Sequence, residues 1–282
     1  MSQANDASAT DFAFVEFAPG CGAGLPLPAG WISIVEAPLL ILVGVTGVGK
    51  STTLDRLLRG RRATLLPDRR VLTDKLLIAA MQMAEGLQPT IVTDRAQRFA
   101  YTRRYRATHA GGMADALGLL AVAPAQTEKL LIFDGLRGAN EIEAAAVALP
   151  NARFVMLDAP DAVRVVRLLG RSDPFDRVER ILPDPAGAPF EALGLDDAAA
   201  LFTHDEQAML LGLVDSGRVA AADLRAKVKI VVEERRSYDP QGTRNALLRH
   251  AGERALCVDT TQHGADDVAR LIATRLGEWG LI

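Results

Sequence analysis

The sequence GVTGVGKS at residues 44–51 has the spacing G-x-x-x-x-G-K-[ST], the pattern of a phosphate-binding loop, or P-loop. Its three glycines allow the backbone to curl so that successive N–H groups point at phosphate oxygens, and the helix predicted to follow adds the positive end of its dipole. Lys50 is expected to reach the β- and γ-phosphates of a nucleotide, and the Ser51 hydroxyl is expected to ligate Mg²⁺. The motif therefore predicts a nucleoside triphosphate site, with ATP and Mg²⁺ as cofactors.

The residues predicted to contact the nucleotide lie in this loop and in the first turn of the next helix. They are Gly44, Thr46, Gly47, Val48, Gly49, Lys50, Ser51 and Thr52. The hydroxyl of Thr52 or Thr53 could contact the α-phosphate, although either is as readily an ordinary hydroxyl in a first helical turn. A glycine-rich turn that binds nothing is the competing interpretation, and the complete match between a predicted strand and a predicted helix disfavours it.

A second set of polar groups ends the apolar run LLIF at residues 130–133, where Asp134, Gly135 and Arg137 follow. Ligands of a doubly wound sheet gather beyond the carboxyl ends of its strands, so Asp134 is predicted to face the same crevice as the P-loop. A carboxylate there would hold Mg²⁺ directly or through water. A turn or helix-capping aspartate is the alternative, and it fits the neighbouring glycine.

The segment DGLR at 134–137 resembles the Asp-Gly-x-(Pro)-Arg signature of adenylate kinase and related nucleoside monophosphate kinases. The resemblance implies that the acid serves the metal and that Arg137 contacts a phosphate of the acceptor. The segment LTDKLLIAA at 72–80 resembles the acceptor-binding segment of the same family, which implies Thr73 as a substrate contact. Ile78 stands where that segment carries an arginine.

The segment VMLDAPDAVRVVRLLGRSD at 155–173 resembles the strand and the arginine-rich lid of adenylate and dephospho-coenzyme A kinases. Arg164, Arg167 and Arg171 fall on one helical face, where they could neutralise charge on a transferred phosphoryl group and stack on the base. Alternatively, arginines of an exposed helix only solvate it. The predicted catalytic residues are Lys50, Asp134, Arg137, Arg164, Arg167 and Arg171, and the predicted metal ligands are Ser51 and Asp134.

A basic and aromatic cluster at residues 94–106 lies before the DGLR strand. Such a helix could clamp a small anionic acceptor by paired hydrogen bonds and stacking. It could also bind a nucleic-acid strand, which is possible but not favoured, or be a solvated helix whose aromatic residues pack on the core. The predicted substrate contacts are Thr73, Asp94, Arg95, Arg98 and Arg137. Asp94 is a candidate base, whereas Asp74 is more economically a helix N-cap.

Short apolar runs typical of central parallel strands recur along the chain, and each precedes a helical pattern. The runs lie at 39–43, 130–133, 154–157 and 255–258. The helices are predicted at 51–59, 74–85, 96–108, 113–122, 140–149, 161–169 and 265–278. This alternation predicts an α/β fold, a P-loop three-layer α/β/α arrangement with a parallel central sheet.

Three regions are predicted from the same patterns. They are an N-terminal extension at 1–37 with a small β appendage, a P-loop kinase-like core at 38–173 and 254–282, and an insertion at 174–253. The appendage consists of strand-like runs at 11–17 and 32–35 around a turn-rich loop at 18–30. The insertion is expected to be irregular at 181–200 and largely helical beyond that, although residues 227–233 could also form a strand. The family resemblance covers about 38–173 and 254–278.

Composition limits the class of protein. The chain has 282 residues and is 49% hydrophobic, so it can bury a sizeable core. Its 32 basic and 35 acidic residues give a net charge of -3, which provides no global attraction to nucleic acid or anionic lipid. Two cysteines and four histidines lack zinc-ligand spacing. With no apolar stretch of membrane-spanning length, a soluble cytoplasmic protein without membrane partners is predicted.

Two functional hypotheses follow. The first is an ATP- and Mg²⁺-dependent phosphotransferase, a small-molecule kinase that moves the γ-phosphoryl group to a nucleotide-like or other anionic acceptor. The second is a regulatory P-loop ATPase or nucleotide switch that acts on a protein or nucleic acid through residues 174–253. A GTPase is disfavoured because the sequence has no Asn-Lys-x-Asp guanine signature. A structural subunit that binds nucleotide without turnover is a third class.

Overall fold

The structure is a computed structural model that describes residues 12–60, 62–127, 129–170, 190 and 195–282. In chain order its strands are β1 (Val15–Ala18), β2 (Cys21–Ala23), β3 (Ile32–Ser33), β4 (Leu39–Val43), β5 (Ala63–Leu65), β6 (Leu120–Val122), β7 (Leu130–Leu136), β8 (Ala152–Asp158) and β9 (Ala255–Asp259). Its helices are α1 (Lys50–Leu58), α2 (Arg69–Leu72), α3 (Ala79–Ala84), α4 (Arg95–Thr108), α5 (Met113–Gly118), α6 (Pro124–Thr127), α7 (Ala139–Ala148), α8 (Asp161–Leu169), α9 (Asp196–Ala199), α10 (His204–Asp215), α11 (Ala221–Ser237), α12 (Pro240–His250) and α13 (Ala265–Glu278). A π-helical segment, Thr73–Ile78, joins α2 to α3.

A parallel sheet of five strands, in the order β5-β7-β4-β8-β9, carries helices on both faces. The side chains of β4 alternate between these faces, as the period of a strand requires. Leu39 and Ile41 pack in the cluster that holds α5, α7 and α12, whereas Leu40 and Leu42 pack with α1 and α13. The predicted α/β class with a parallel central sheet is confirmed.

The crevice of the sheet lies at the carboxyl ends of β4 and β7, which are adjacent and parallel. The helix after β4, α1, packs on one face, whereas the helix after β7, α7, packs on the other. Two neighbouring strands whose connections leave in opposite directions open a crevice between them, and ligands of α/β sheets bind at such points. The P-loop follows β4 and Asp134 lies near the end of β7, so both meet at this crevice.

A second sheet is antiparallel, in the order β1-β2-β6-β3. The helix predicted at 113–122 is wrong in its second half, because α5 ends at Gly118 and residues 120–122 form β6. The predicted loop at 18–30 also contains a strand, β2. Both corrections have one cause: β6 pairs with β2 and β3, and these long-range hydrogen bonds override the local pattern.

The helix predicted from residue 74 begins earlier, at Arg69. Asp68 caps it by accepting a hydrogen bond from the Val71 N–H (2.8 Å). Asp74, expected to be the N-cap, lies instead within the π-helical segment. Helical turns of this wider kind are frequent at functional sites, and this one lies beside the acceptor-side residues predicted from the sequence.

Residues 195–232 of the predicted insertion form an apolar cluster with α8, whereas α12, which also lies within 174–253, packs in the main cluster beside α7. Val165 and Leu168 of α8 pack in it with Val228 and Val231 of α11. Residues 227–233 therefore belong to a helix and not to a strand. Most of the run at 181–200 lies outside the described residues. Across the ranges that the structure describes, none of the helices combines the length and the apolar character needed to cross a bilayer.

Candidate nucleotide-binding site

The P-loop passes so close to β8 and α8 that two of its glycines, Gly44 and Gly47, leave little or no room for a side chain. Gly44 has φ +143°, and a Cβ atom built on it would lie 2.6 Å from the carbonyl oxygen of Leu157. Gly47 has φ +88°, and its Cβ would lie 3.0 Å from the Cβ of Arg164. Gly49 then caps α1 in the left-handed conformation. The loop therefore ends at the amino terminus of a helix, where unpaired N–H groups and the helix dipole favour an anion.

Lys50 connects the ends of the two central strands. Its Nζ donates hydrogen bonds to the carbonyl oxygens of Gly44 (2.7 Å) and Val45 (3.1 Å). The same ammonium group lies 3.9 Å from Oδ1 of Asp134. A buried cation is thus held beside the first P-loop residues and faces a carboxylate across the crevice.

Asp134 carries a carboxylate oxygen that no described residue satisfies. Its Oδ1 is buried and has no hydrogen-bond partner in the described part of the chain. Burial raises the pKa of the Asp134 carboxyl, the charges of Lys50 and Arg137 oppose that rise, and the charge of Asp68 adds to it. A buried carboxylate oxygen that accepts no hydrogen bond from a described residue, with the Lys50 ammonium as a counter-charge at 3.9 Å, is a suitable ligand for a cation, so the residue fits a Mg²⁺ site.

Ser51, the other predicted metal ligand, lies in the first turn of α1 and is exposed to solvent. Within the described ranges there is no group of three or more His, Cys, Asp or Glu side chains that could hold a metal ion. Mg²⁺ usually keeps several waters and takes one or two protein ligands together with substrate phosphates. A pair such as Ser51 and Asp134 has the donor chemistry for that mode of binding.

Arg137 is fixed by a buried ion pair behind it. Its backbone N–H donates to Oε2 of Glu141 (3.0 Å), and Arg69 binds both oxygens of the same carboxylate at 2.8 and 2.5 Å. Arg69 also donates to the carbonyl oxygen of Gly135 (2.6 Å). Burial lowers the pKa of the Arg69 guanidinium. The hydrogen bond to Glu141 and the charge of that carboxylate raise the pKa by more, so the net pKa lies above its ordinary value. The turn after β7 is thereby held rigidly at the crevice.

Replacing Glu141 with glutamine is expected to lower the free energy of unfolding by about 3 kcal/mol, because it leaves the Arg69 guanidinium buried without its counter-charge. The Glu141 side chain is only 3% exposed. Urea denaturation followed by circular dichroism measures the loss. The matched control is Glu143→Gln on the same helix, whose side chain is 49% exposed and which should change stability by less than about 0.5 kcal/mol. Equal stability of the two variants would contradict this account.

Arg164 and Arg167 lie against the P-loop. Arg164 is 1% exposed, and its Nε donates to the carbonyl oxygen of Thr46 (2.8 Å). Arg167 donates to Thr260 Oγ1 (2.8 Å) and O (2.9 Å), and its Nη1 lies 3.4 Å from the carbonyl oxygen of Gly47. The alternative that these arginines only solvate an exposed helix is wrong for Arg164. Arg171 lies outside the described residues.

Glu234 of α11 is the most highly coordinated acid beside the loop. Its Oε1 accepts from the Thr46 hydroxyl (2.6 Å) and from Arg137 Nη1 (3.0 Å). Its Oε2 accepts from the Thr46 N–H (3.0 Å) and from Arg164 Nη2 (2.5 Å). A side chain from the predicted insertion therefore contacts the P-loop directly.

The predicted acceptor-side residues bind mostly within their own region. Thr73 donates to the Arg69 carbonyl oxygen (2.7 Å), and Asp94 caps α4 by accepting from the Gln97 N–H (2.7 Å). Arg98 donates to the Val92 carbonyl oxygen (2.9 Å) and forms an ion pair with Asp74. Arg95 lies 3.8 Å from a carboxylate oxygen of Glu233. Arg137 is the predicted acceptor contact that reaches the P-loop network.

Two cavities lie against the regions predicted to bind the nucleotide and the acceptor. One, of about 430 Å³, lies beside the P-loop and is lined by Gly49, Thr52, Arg167, Thr260 and His263 among others. The second, of about 680 Å³, lies between the antiparallel sheet and the α2–α3 region. It is mostly apolar and includes Asp74, Lys75 and Tyr105 in its lining.

Several residues of this network were not predicted from the sequence: Arg69, Glu141, Asp161, Glu234 and Thr260. One of them left a signal. Glu234 follows Val231 by three positions on α11, so it falls on the buried face of the helix, where a carboxylate needs partners. Asp161 left a second, because it pairs with Arg164 at an i,i+3 spacing. The side-chain partners of Arg69, Glu141 and Thr260, in contrast, are distant in the sequence.

The fold and the loop together define the class: an α/β/α protein with a P-loop at the switch point of a parallel sheet. No protein-family model and no curated protein matches the sequence. Several solved structures show similarity. A sugar kinase from a Janibacter species is 14% identical, with 86% of this chain and 95% of that chain covered and a TM-score of 0.34.

Two further structures are similar at the same level. Shikimate kinase from Acinetobacter baumannii, solved in complex with shikimate, is 15% identical, with 87% and 96% of the two chains covered and a TM-score of 0.36. The protein TT1252 from Thermus thermophilus is 16% identical, with 86% and 97% covered and a TM-score of 0.41. Similarity this distant carries no information on the reaction or the substrate of the present chain.

Proposed function

We propose that the chain is an ATP- and Mg²⁺-dependent phosphotransferase that moves the γ-phosphoryl group to a small anionic acceptor, nucleotide-like or otherwise. The observation that carries the proposal is the meeting of Lys50 with Asp134 at the crevice. The ammonium group lies 3.9 Å from a carboxylate whose Oδ1 is buried and without a hydrogen-bond partner in the described chain. Phosphoryl transfer requires a cationic group that binds phosphate, here Lys50, and an acid that can hold a metal ion, here Asp134.

The nucleotide is proposed to bind with its phosphates at the amino end of α1. The N–H groups of the loop and the dipole of α1 would hold the phosphates, and Lys50 would turn from the Gly44 and Val45 carbonyls towards them. The cavity of about 430 Å³ would receive the nucleoside, because it continues directly from Gly49 and Thr52. Arg167, which also lines this cavity, would stack on the base.

Ser51 and Asp134 would hold a magnesium ion, which would supply positive charge beside the phosphates. Lys50, Arg137 and Arg164 would stabilise the transferring group as donors of charge-assisted hydrogen bonds. The acceptor is proposed to approach from the side of Arg137 and the α2–α4 region. Thr73, Asp94, Arg95 and Arg98 stay predicted acceptor contacts, and Arg171 stays a predicted catalytic residue.

The test is an acceptor screen that reports ADP. The purified chain is mixed with ATP, Mg²⁺ and a panel of nucleoside monophosphates, phosphorylated metabolites and other small anions. A rise in ADP with one acceptor class, matched by a phosphorylated product in mass spectrometry, is the expected result. ATP turnover that no small acceptor stimulates, in a preparation that binds ATP, would contradict the proposal.

One observation favours the alternative of a regulatory ATPase or nucleotide switch. Glu234 belongs to the predicted insertion, and it contacts Thr46 of the P-loop, so events at the nucleotide could reach α11. The same assay separates the two functions, because stimulation of turnover by DNA, RNA or a protein, and not by small anions, would favour the switch.

A further inference from the structure

Four donors of three residues converge on the two oxygens of Glu234. They are the N–H and the hydroxyl of Thr46, Arg137 Nη1 and Arg164 Nη2, at 2.5 to 3.0 Å. The Glu234 side chain is about one-tenth exposed, so the carboxylate lies inside the site and not at its rim. One carboxylate thus accepts hydrogen bonds from a backbone amide of the P-loop, a hydroxyl and two guanidinium groups at the same time.

This donor set suits a phosphoryl group. Backbone amides of such loops and paired arginines are the usual ligands of phosphate oxygens, and a phosphoryl group offers three oxygens where a carboxylate offers two. Because Glu234 already lies at hydrogen-bonding distance from all four donors, a phosphate oxygen and Glu234 cannot use them simultaneously. Occupancy by one excludes occupancy by the other.

The position of Glu234 on its helix is unfavourable for a carboxylate, so its contact with the P-loop depends on the partners found there. Glu234 lies in the last turn of α11, where the negative end of the helix dipole disfavours a carboxylate. Its favourable interactions therefore come from the P-loop and from Arg137 and Arg164. Arg164 has a second counter-charge, since its Nη1 donates to Asp161 Oδ1 (2.6 Å), so it does not depend on Glu234 alone.

We propose that Thr46, Arg137 and Arg164 form a phosphoryl subsite and that Glu234 is a built-in competitor for it. A polyphosphate can fill the subsite only when the end of α11 withdraws its carboxylate. Binding is then coupled to the α8, α10 and α11 cluster, which holds residues 195–232 of the predicted insertion. This inference rests on the proposed function in one respect, that the anion belongs to a nucleotide.

The test compares two neighbouring glutamates. Glu234→Gln keeps the shape of the side chain but removes its charge, and it should bind tripolyphosphate and Mg-ATP about tenfold more tightly than the wild type, because the competing state is weakened. Glu233→Gln removes the same charge one residue away. The Glu233 side chain is 67% exposed, so this variant should stay within about twofold of the wild type. Isothermal titration of the full chain measures both.

Hydrogen exchange of the wild type gives a second readout that needs no variant. Amide exchange in the last turns of α11 should become faster on addition of tripolyphosphate, because the helix end loses its contacts with the loop. Unchanged or slower exchange there would overturn the proposal, as would Glu234→Gln affinities equal to or weaker than those of the wild type. If either of these results is found while the wild type still binds ATP, the subsite proposal fails but the proposed function stands. If neither the wild type nor the two variants bind ATP, the proposed function itself is refuted.

Discussion

Lys50→Ala is expected to reduce ATP-dependent phosphoryl transfer by about 1000-fold, because it removes the cation that reaches the phosphates. In the structure the ammonium group is held by the carbonyl oxygens of Gly44 and Val45, so it lies at the mouth of the loop before any ligand arrives. The variant loses these two hydrogen bonds, but the glycine-rich backbone keeps the constraints set by Gly44 and Gly47 and by their close approach to β8 and α8. The fold should therefore survive.

The measurement is ADP release in the acceptor assay, with circular dichroism and a melting curve to verify folding. Lys129→Ala is the matched control. Lys129 immediately precedes β7, at the end of the sheet remote from the P-loop, and its Nζ bonds only locally, to Gln126 Oε1 (3.3 Å) among its described contacts. It should keep wild-type turnover. Turnover near the wild-type rate in a folded Lys50→Ala protein would exclude the proposed role of the loop.

Asp134→Asn is expected to lower the activity of the protein and to raise its stability. The variant should lose about 100-fold or more in Mg²⁺-dependent turnover, because an amide oxygen is a much poorer ligand for a cation than a carboxylate. Without ligands it should gain about 1 kcal/mol of stability at neutral pH, since the wild type keeps a charged oxygen buried there without a hydrogen bond. Loss of activity with a gain in melting temperature is typical of a residue placed for function.

The pH dependence of this gain has a definite sign. The folded-state pKa of Asp134 is raised, so the folded chain binds more protons than the unfolded chain between the unfolded and the folded pKa. Wild-type stability therefore falls as pH rises through that window, and the advantage of Asp134→Asn grows over the same window. At a pH below the unfolded value the two proteins should melt together. A variant that melts below the wild type at neutral pH would mean that the Lys50 and Arg137 charges outweigh burial.

Features that are local in the sequence could be predicted. The P-loop needs eight consecutive residues, and β4, β7, β8 and β9 are short apolar runs, so both were visible without knowledge of the partners. The position of Asp134 at the crevice also followed from local order, because it comes directly after the apolar run of a central strand, although that strand continues to Leu136. The parallel sheet and its layers were predictable for the same reason.

Features set by distant partners could not be predicted. Residues 120–122 continue a helical pattern, yet they form β6 because β2 and β3 supply backbone partners on both sides. Asp74 precedes an apolar helical run like a cap, yet it lies inside a longer helix and pairs with Arg98. The contact of Glu234 with Thr46 joins residues 188 positions apart, and no pattern within either segment indicates it.

The order β1-β2-β6-β3 has a consequence for how the chain can be divided. One of its two inner strands, β6, comes from the stretch between α5 and α6, so the first three strands pair with a segment of the main body of the protein and do not form a separate unit beside it. A protein shortened to begin at Pro38 would present the three apolar residues of β6 with bare amide and carbonyl groups on either side. An exposed strand edge of this kind can pair with the same edge of another molecule, so the truncated form is expected to self-associate.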